Sequence, residues 1–295
     1  MEALMLNTTF GMEIEMTGIT RRKAAELTAQ VIGGRCEWAG GGYDTYQAVG
    51  PDGRKWKFMT DASIDTFRAR GEYGGRDYST EFVTPICKYE QDMETIQEIV
   101  RELRKNGAFV NDSCGIHIHL GGDGHTAKSI RNFANMVYNR GDLLYKALAI
   151  KAGRQHYCKK LDASLMEKLN KLAPSKATLK QIEDIWYTVY RSYRDRTTHY
   201  HDSRYHFLNL HSFFNGHGTV ELRGFNSTLH AGEVRAYVML ALAMNHQALE
   251  APMTKRKFAD PDKESMRNWL KQMGVNDKNC IEHLTKNFET RRVAA

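Results

Sequence analysis

Three segments lying far apart in this chain alternate apolar and polar residues with a period of two. In residues 9–16, Phe10, Met12, Ile14 and Met16 fall on one side and Gly11, Glu13 and Glu15 on the other. Ile116, Ile118 and Leu120 alternate in the same way with His117 and His119, and Val220 and Leu222 alternate with Glu221 and Arg223. Successive side chains of a β-strand point to opposite faces, so each segment reads as a strand with one buried and one polar face. The chain must therefore bring distant strands into sheet structure.

Between these strands the period becomes helical. Arg21 to Ile32 reads as an amphipathic helix closed by Gly33-Gly34, and Glu90 to Lys105 as another, with Met93, Ile96, Ile99, Val100 and Leu103 on one face and Gly107 as its stop. Pro51-Asp52-Gly53 between Tyr43–Val49 and Lys55–Met59 predicts a hairpin, and Glu81 to Ile86 reads as a further strand. Residues 126–200 are expected to form a mainly helical insertion, interrupted by a polar, aromatic stretch at 154–161 and a break at Pro174. Tyr205–Phe214 and Thr219–Phe225 alternate around Asn215-Gly216, a hairpin signal, and Glu233 to Glu250 is a long apolar helix. The expected class is α+β. A catalytic unit would cover 1–250, and a basic tail, 251–295, carries helical patches at Glu264–Met273 and Ile281–Phe288 before a loose end.

The 295 residues allow one large domain or two, and 41% hydrophobic and 26% charged residues with only 5 prolines exclude a disordered or collagenous chain. Net charge is +7, but ten Lys/Arg against six Asp/Glu in 251–295, including Lys255-Arg256-Lys257, supply more than half of it. That distribution argues against a nucleic-acid partner. The longest apolar run, Tyr237–Met244, is far below the roughly 20 residues of a membrane span, so no membrane partner is expected. Glu2 and the break at Asn7-Thr8-Thr9 leave no readable secretory signal, which makes the cytoplasm the expected compartment. Five widely spaced cysteines without a CxxC pair favour buried thiols over disulfides or a thiolate metal site; Cys114 alone adjoins a motif.

The polar strand faces carry the candidate chemistry. Glu13 and Glu15 repel each other unless a cation lies beside them, and hard divalent cations take carboxylate oxygens; two solvent-facing acids are the plain alternative. His117 and His119 suit a metal or a phosphate, or are ordinary polar strand residues. Glu221 and Arg223 suit a metal-bound phosphate, or form a simple ion pair. Asp61-Ala62-Ser63 and Glu81 are isolated polar groups that fit turns and caps equally well. The coincidence of several such faces favours a site.

Taken in order, Phe10-Gly11-x-Glu13-x-Glu15, Asp61-x-Ser63, Glu81-Phe82-Val83-Thr84-Pro85, Gly115-x-His117-x-His119, Asn209 and Val220-Glu221-x-Arg223-Gly224-Phe225 resemble the amidoligase family, within the glutamine synthetase and glutamate-cysteine ligase superfamily of carboxylate-amine ligases. The resemblance runs from about residue 8 to 245, with the middle matched only through Arg154 and Tyr157. It implies a curved antiparallel sheet with helices on its outer face and a funnel lined by the polar strand faces. It implies Glu13, Glu15, Glu81, His117 and Glu221 as ligands for Mg²⁺ or Mn²⁺. His119, Arg223, Asn209 and Arg154 would meet ATP, Arg223 at the phosphates, and Asp61 and Ser63 would lie near the amine.

The implied reaction joins an amino acid, peptide or protein carboxylate to an amine through an acyl phosphate, with Asp61, Glu81 and Arg223 as catalytic groups. No Walker-type GxxxxGK[ST] is present, and ligases of this kind need none. Two other readings compete. One is a metal-dependent hydrolase or nuclease using the same carboxylate and histidine groups. The other is a non-catalytic nucleic-acid-binding protein, for which pI 9.0 and abundant tyrosine and phenylalanine speak but no binding motif does. The identities of both substrates and the oligomeric state are not legible in the chain.

Overall fold

The computed structural model describes residues 5–173, 176–252 and 258–289. Pro174, Lys255-Arg256-Lys257 and the loose end at 290–295 lie outside the described residues. The strands are β1 (Phe10–Met16), β2 (Arg35–Gly40), β3 (Thr45–Val49), β4 (Lys55–Met59), β5 (Phe67–Ala69), β6 (Glu72–Tyr73), β7 (Thr80–Val83), β8 (Gly115–Gly121), β9 (Leu208–Asn209) and β10 (Thr219–Asn226). The helices are α1 (Arg21–Val31), α2 (Tyr89–Lys105), α3 (Ala127–Asn139), α4 (Gly141–Ala147), α5 (Ala163–Lys171), α6 (Leu179–Val189), α7 (His211–Asn215), α8 (Ala231–Glu250), α9 (Lys263–Gln272) and α10 (Lys278–Thr285).

Eight strands make one sheet in the order β2-β3-β4-β7-β1-β8-β10-β9, and every pairing is antiparallel. β5 and β6 form a separate small pair. The class is α+β. Phe10, Met12, Ile14 and Met16 of β1, Ile116, Ile118 and Leu120 of β8, and Phe82 of β7 are buried in one core cluster together with Ile96, Val100 and Leu103 of α2 and Val234 and Val238 of α8. Helices therefore cover the apolar side of the sheet, and the polar sides of the same strands are left to face each other across the opposite surface.

Local chemistry explains the element ends. Thr20 caps α1 by accepting from Lys23 N, and α3 and α6 start with capping boxes, Thr126 with Ser129 and Thr178 with Gln181. Glu90 and Asp92 in the first turn of α2 and Arg104 and Lys105 in its last complement the helix dipole, and Gly107 follows at φ +98°. The β3–β4 hairpin turns through Pro51-Asp52-Gly53, with Gly53 at φ +80°.

Two expectations change. The segment expected as a strand from Glu81 to Ile86 ends at Val83, two residues before a proline that has no donor to give a neighbouring strand. The Asn215-Gly216 hairpin is a longer connection. Only Leu208 and Asn209 of the first arm pair with β10, because the Asn209 carboxamide oxygen accepts from His211 N and Ser212 N and starts α7. The periodicity gave no sign of β2, which lies at the sheet's edge and shows no clean alternation of exposure. The helices of the C-terminal segment pack on α8: Trp269 donates to Gln247 Oε1 at 3.0 Å, and Arg235 bonds Asp277 at 2.8 Å. Among the described residues no helix is long and apolar enough to cross a membrane.

Candidate active site

Antiparallel register assembles the site floor. Glu15 on β1 stands opposite Glu81 on β7, Glu13 on β1 opposite His117 on β8, and His119 on β8 opposite Glu221 on β10; Glu221 in turn stands opposite Asn209 on β9. All six charged or imidazole groups thus project from one face of four adjacent strands. Past Leu222 the β8–β10 register slips by one residue, a bulge holding Arg223 and Gly224. Gly224 is required there, since a Cβ would stand 2.0 Å from the Phe207 ring. Gly115 is required for a second reason: its Cβ would strike the Arg154 guanidinium at 2.0 Å. That close approach lets Arg154 reach Glu15 at 3.6 Å, while Gly115 N donates to the same carboxylate oxygen at 2.6 Å.

Two groups of three residues each bring one ligand atom to within 4.8 Å of the others: Glu13, His117 and Glu221, and Glu15, Glu81 and His117. His117 belongs to both. Burial, then the nearby Arg223 charge, push its pKa down to about 4 against the pull of Glu13, so the ring is neutral. Its Nδ1 lies 2.8 Å from Glu13, to which it donates, leaving the Nε2 lone pair free, 4.0 Å from Glu15. Burial raises Glu15 to about 7 in spite of Arg154, with Asp61 adding to the rise. Burial together with Glu13, Glu15 and Asp61 carries Glu81 well above the usual carboxylate range. Two facing carboxyl groups without enough positive charge, beside a free imidazole nitrogen, are a donor set that fits a hard divalent cation.

The Glu13 and Glu221 half is better compensated. Burial alone would raise Glu221, but Arg223 and His119 hold it down at about 2. Arg223 donates to Glu221 Oε1 and Asn209 to Oε2, both at 2.6 Å. Burial opposes charge on His119, yet Glu221 and Glu13 outweigh it and raise the imidazole. His119 Nδ1 bonds Thr219 at 2.9 Å, and Nε2 lies 3.3 Å from Glu13 without the alignment of a hydrogen bond. The Nε atoms of Arg154 and Arg223 are buried without a hydrogen-bond partner, a donor surplus that an anionic ligand would satisfy.

Three cavities lie along this face. The first, about 690 Å³, holds Glu15, Asp61, Ser63, Arg154 and Arg223; the second, about 280 Å³, holds Glu13, Glu81, His119, Asn209 and Glu221. The third, about 760 Å³, runs from Glu13 and His119 past Lys55, Lys57 and the Gly121-Gly122 backbone. Asp61 lines the first two, with Oδ1 accepting from Ser63 N and Oγ at 2.6 Å.

Glu13, Glu15, Asp61, Ser63, Glu81, His117, His119, Arg154, Asn209, Glu221 and Arg223 all line these three cavities. Cys114 does not join the chemistry: burial pushes its thiol up to about 11 and it is an inert core group. Sequence reasoning did not single out Thr219, which orients His119, or Tyr43 and Tyr200, whose hydroxyls meet over the face. Thr219 begins the alternating β10 segment on the same side as Glu221 and was within reach of that signal; the others sit in loops without one.

A family model described as "Putative amidoligase enzyme" matches residues 6–245. The chain belongs to that family. The match covers every strand of the sheet and every residue of the site floor, so the floor is the amidoligase-family part of the molecule, and membership supports a ligase-type function. No curated protein matches the chain. Among solved structures, this amidoligase-family chain is similar to a bifunctional glutathione synthetase from Pasteurella multocida, with 12% identity and a TM-score of 0.45. The likeness covers 97% of this chain and 48% of that one, so the chain spans about half the length of that protein.

Proposed function

We propose that the protein is an ATP-dependent carboxylate-amine ligase that forms an amide through an acyl phosphate. The observation that carries this reading is the pair of three-ligand groups sharing neutral His117, with the Arg223 guanidinium immediately beside them. Glu15, Glu81 and the free Nε2 of His117 would hold one Mg²⁺ or Mn²⁺, and the Glu13 and Glu221 carboxylates would offer oxygens to a second, with His117 lending its one lone pair to only one of the two. Bound there, the cations neutralise the triphosphate and the transferring phosphoryl group.

The remaining steps belong to the chain. Lys55, Lys57 and His119 bind and orient the nucleotide along the third cavity, and the carboxylate substrate enters the first. Its oxygen attacks Pγ, the bond from Pγ to the β-bridging oxygen breaks and ADP departs, while Arg223 stabilises charge on the moving group. The amine nitrogen then attacks the acyl carbon and phosphate leaves with the former carboxylate oxygen. Asp61, which lies outside both ligand groups and lines both cavities, accepts the amine proton. Arg154 and Asn209 act through Glu15 and Glu221, fixing the carboxylates.

Calorimetric titration tests this reading. Mn²⁺ and a non-hydrolysable ATP analogue are expected to bind the wild type, the analogue only with metal, and neither to bind tightly to Glu13→Gln/Glu15→Gln. Metal binding without any nucleotide binding would favour the metal-dependent hydrolase.

A further inference from the structure

The first cavity on the floor has features that metals and ATP leave unused. At roughly 30 Å³ per water-sized atom, its 690 Å³ has room for about 23 such atoms, roughly twice the number in a free acidic amino acid. Its walls are aromatic, with Tyr73, Tyr157 and Tyr205 joined by Tyr43 and Tyr200. The last two meet hydroxyl to hydroxyl at 2.9 Å. Tyr43 comes from the β2–β3 connection and Tyr200 from the segment before β9, on opposite sides of β4, β7, β1, β8 and β10. Their contact therefore crosses over the polar face and roofs it.

Arg204 stands at the boundary, lining both this cavity and the smaller one with Glu81 and Glu221. It is half-buried, its guanidinium 5.2 Å above the Tyr200 ring and 6.0 Å from Tyr205, and its hydrogen bond goes to the His199 carbonyl at 3.3 Å. No described carboxylate lies within ion-pair distance of it. A guanidinium held on aromatic faces without a counter-ion is a preorganised fork for a ligand carboxylate. Arg223, in the same cavity, is already bonded to Glu221 at the reacting end.

Resting on the ligase reading above, we infer that the carboxylate substrate is an acidic oligopeptide, its reacting carboxylate over Arg223 and a second, non-reacting carboxylate held by Arg204. Arg204 is then the specificity-determining residue. The tyrosine walls take the peptide's apolar and backbone surface, and the roof admits an extended chain end in preference to a folded surface.

The test is binding to the full chain, with Mn²⁺ and a non-hydrolysable ATP analogue present and then absent. Three probes are used: the tripeptide alanyl-alanyl-glutamate, its fully amidated form and free glutamate. The free-acid tripeptide is expected to bind at least tenfold more tightly than either of the others. Arg204→Gln should remove that advantage and Arg204→Lys should restore part of it, while Arg267→Gln on α9, a charge-matched control outside the three cavities of the polar face, should leave it unchanged. Equal affinity for acid and amide, free glutamate binding as tightly as the tripeptide, wild-type discrimination in Arg204→Gln, or no peptide binding would each overturn the inference. Failure of metal and nucleotide to bind would instead count against the ligase reading, and Arg204-dependent discrimination in the unliganded protein would survive it.

Discussion

Glu15 shows how a single residue can report on the whole site. Burial lifts its pKa from the ordinary 4.5 to about 7, so between those values the metal-free folded chain holds a proton that the unfolded chain has released. Its contribution to stability is complete below about pH 4.5 and is lost as pH rises through 7, on the order of 3 kcal/mol. His117, pushed down to about 4, has the opposite slope between about 4 and 6.5 and largely cancels when two proteins that both carry it are compared. Glu15→Gln should therefore gain on the metal-free wild type by about that amount between pH 4.5 and 8, measured by urea unfolding, and Mn²⁺ should reverse the order at pH 8. A difference that does not change with pH would mean that Glu15 is not desolvated. At Arg223, lysine keeps the charge and loses the planar fork, so Arg223→Lys should lower turnover by about 10²-fold or more in protein that is still folded at the assay temperature, with a lower melting temperature from the weakened buried pair with Glu221.

At the scale of elements, the close approach of β8 to Arg154 is what a substitution would probe. Gly115→Ala places a methyl group against the guanidinium; displacement of Arg154 from Glu15 should cost about 1–3 kcal/mol in stability and weaken Mn²⁺ binding in parallel. A stability loss with wild-type Mn²⁺ affinity would separate Arg154 from the metal site. β1, β8 and the part of β10 before its bulge were legible in the sequence because apolar residues there alternate strictly with acids, imidazoles or arginine, so the period of two survives. β2 was not, being an edge strand, and β9 is two residues long because Asn209 diverts the chain into α7. The floor residues were legible for the same reason as their strands. Tyr43 and Tyr200 were not, because loops carry no period and their meeting depends on the sheet's full width.

Across the whole molecule, one sheet with helices on its apolar side frees the other side for chemistry, and the C-terminal helices brace the layer behind it. Trp269 is 2% exposed, packed with α8 residues in the common core and bonded to Gln247. Trp269→Ala should cost about 3–5 kcal/mol and shift a single cooperative unfolding transition. A separate early transition for residues 258–289 would show that they fold apart from the sheet. Acids concentrated on one face are tolerable in this arrangement because His119, Arg154 and Arg223 supply part of the compensation, and under the proposed function a divalent cation would supply the rest.

The most direct measurement is ADP and phosphate release from Mg-ATP by the full chain, with and without pooled amino acids and acidic peptides, with Glu13→Gln/Glu15→Gln as blank and products weighed by mass spectrometry. Substrate-stimulated release, absent in the double variant and accompanied by a product lighter by one water than the sum of its two precursors, is the result predicted. Bond hydrolysis that proceeds with metal alone and is indifferent to ATP would contradict it.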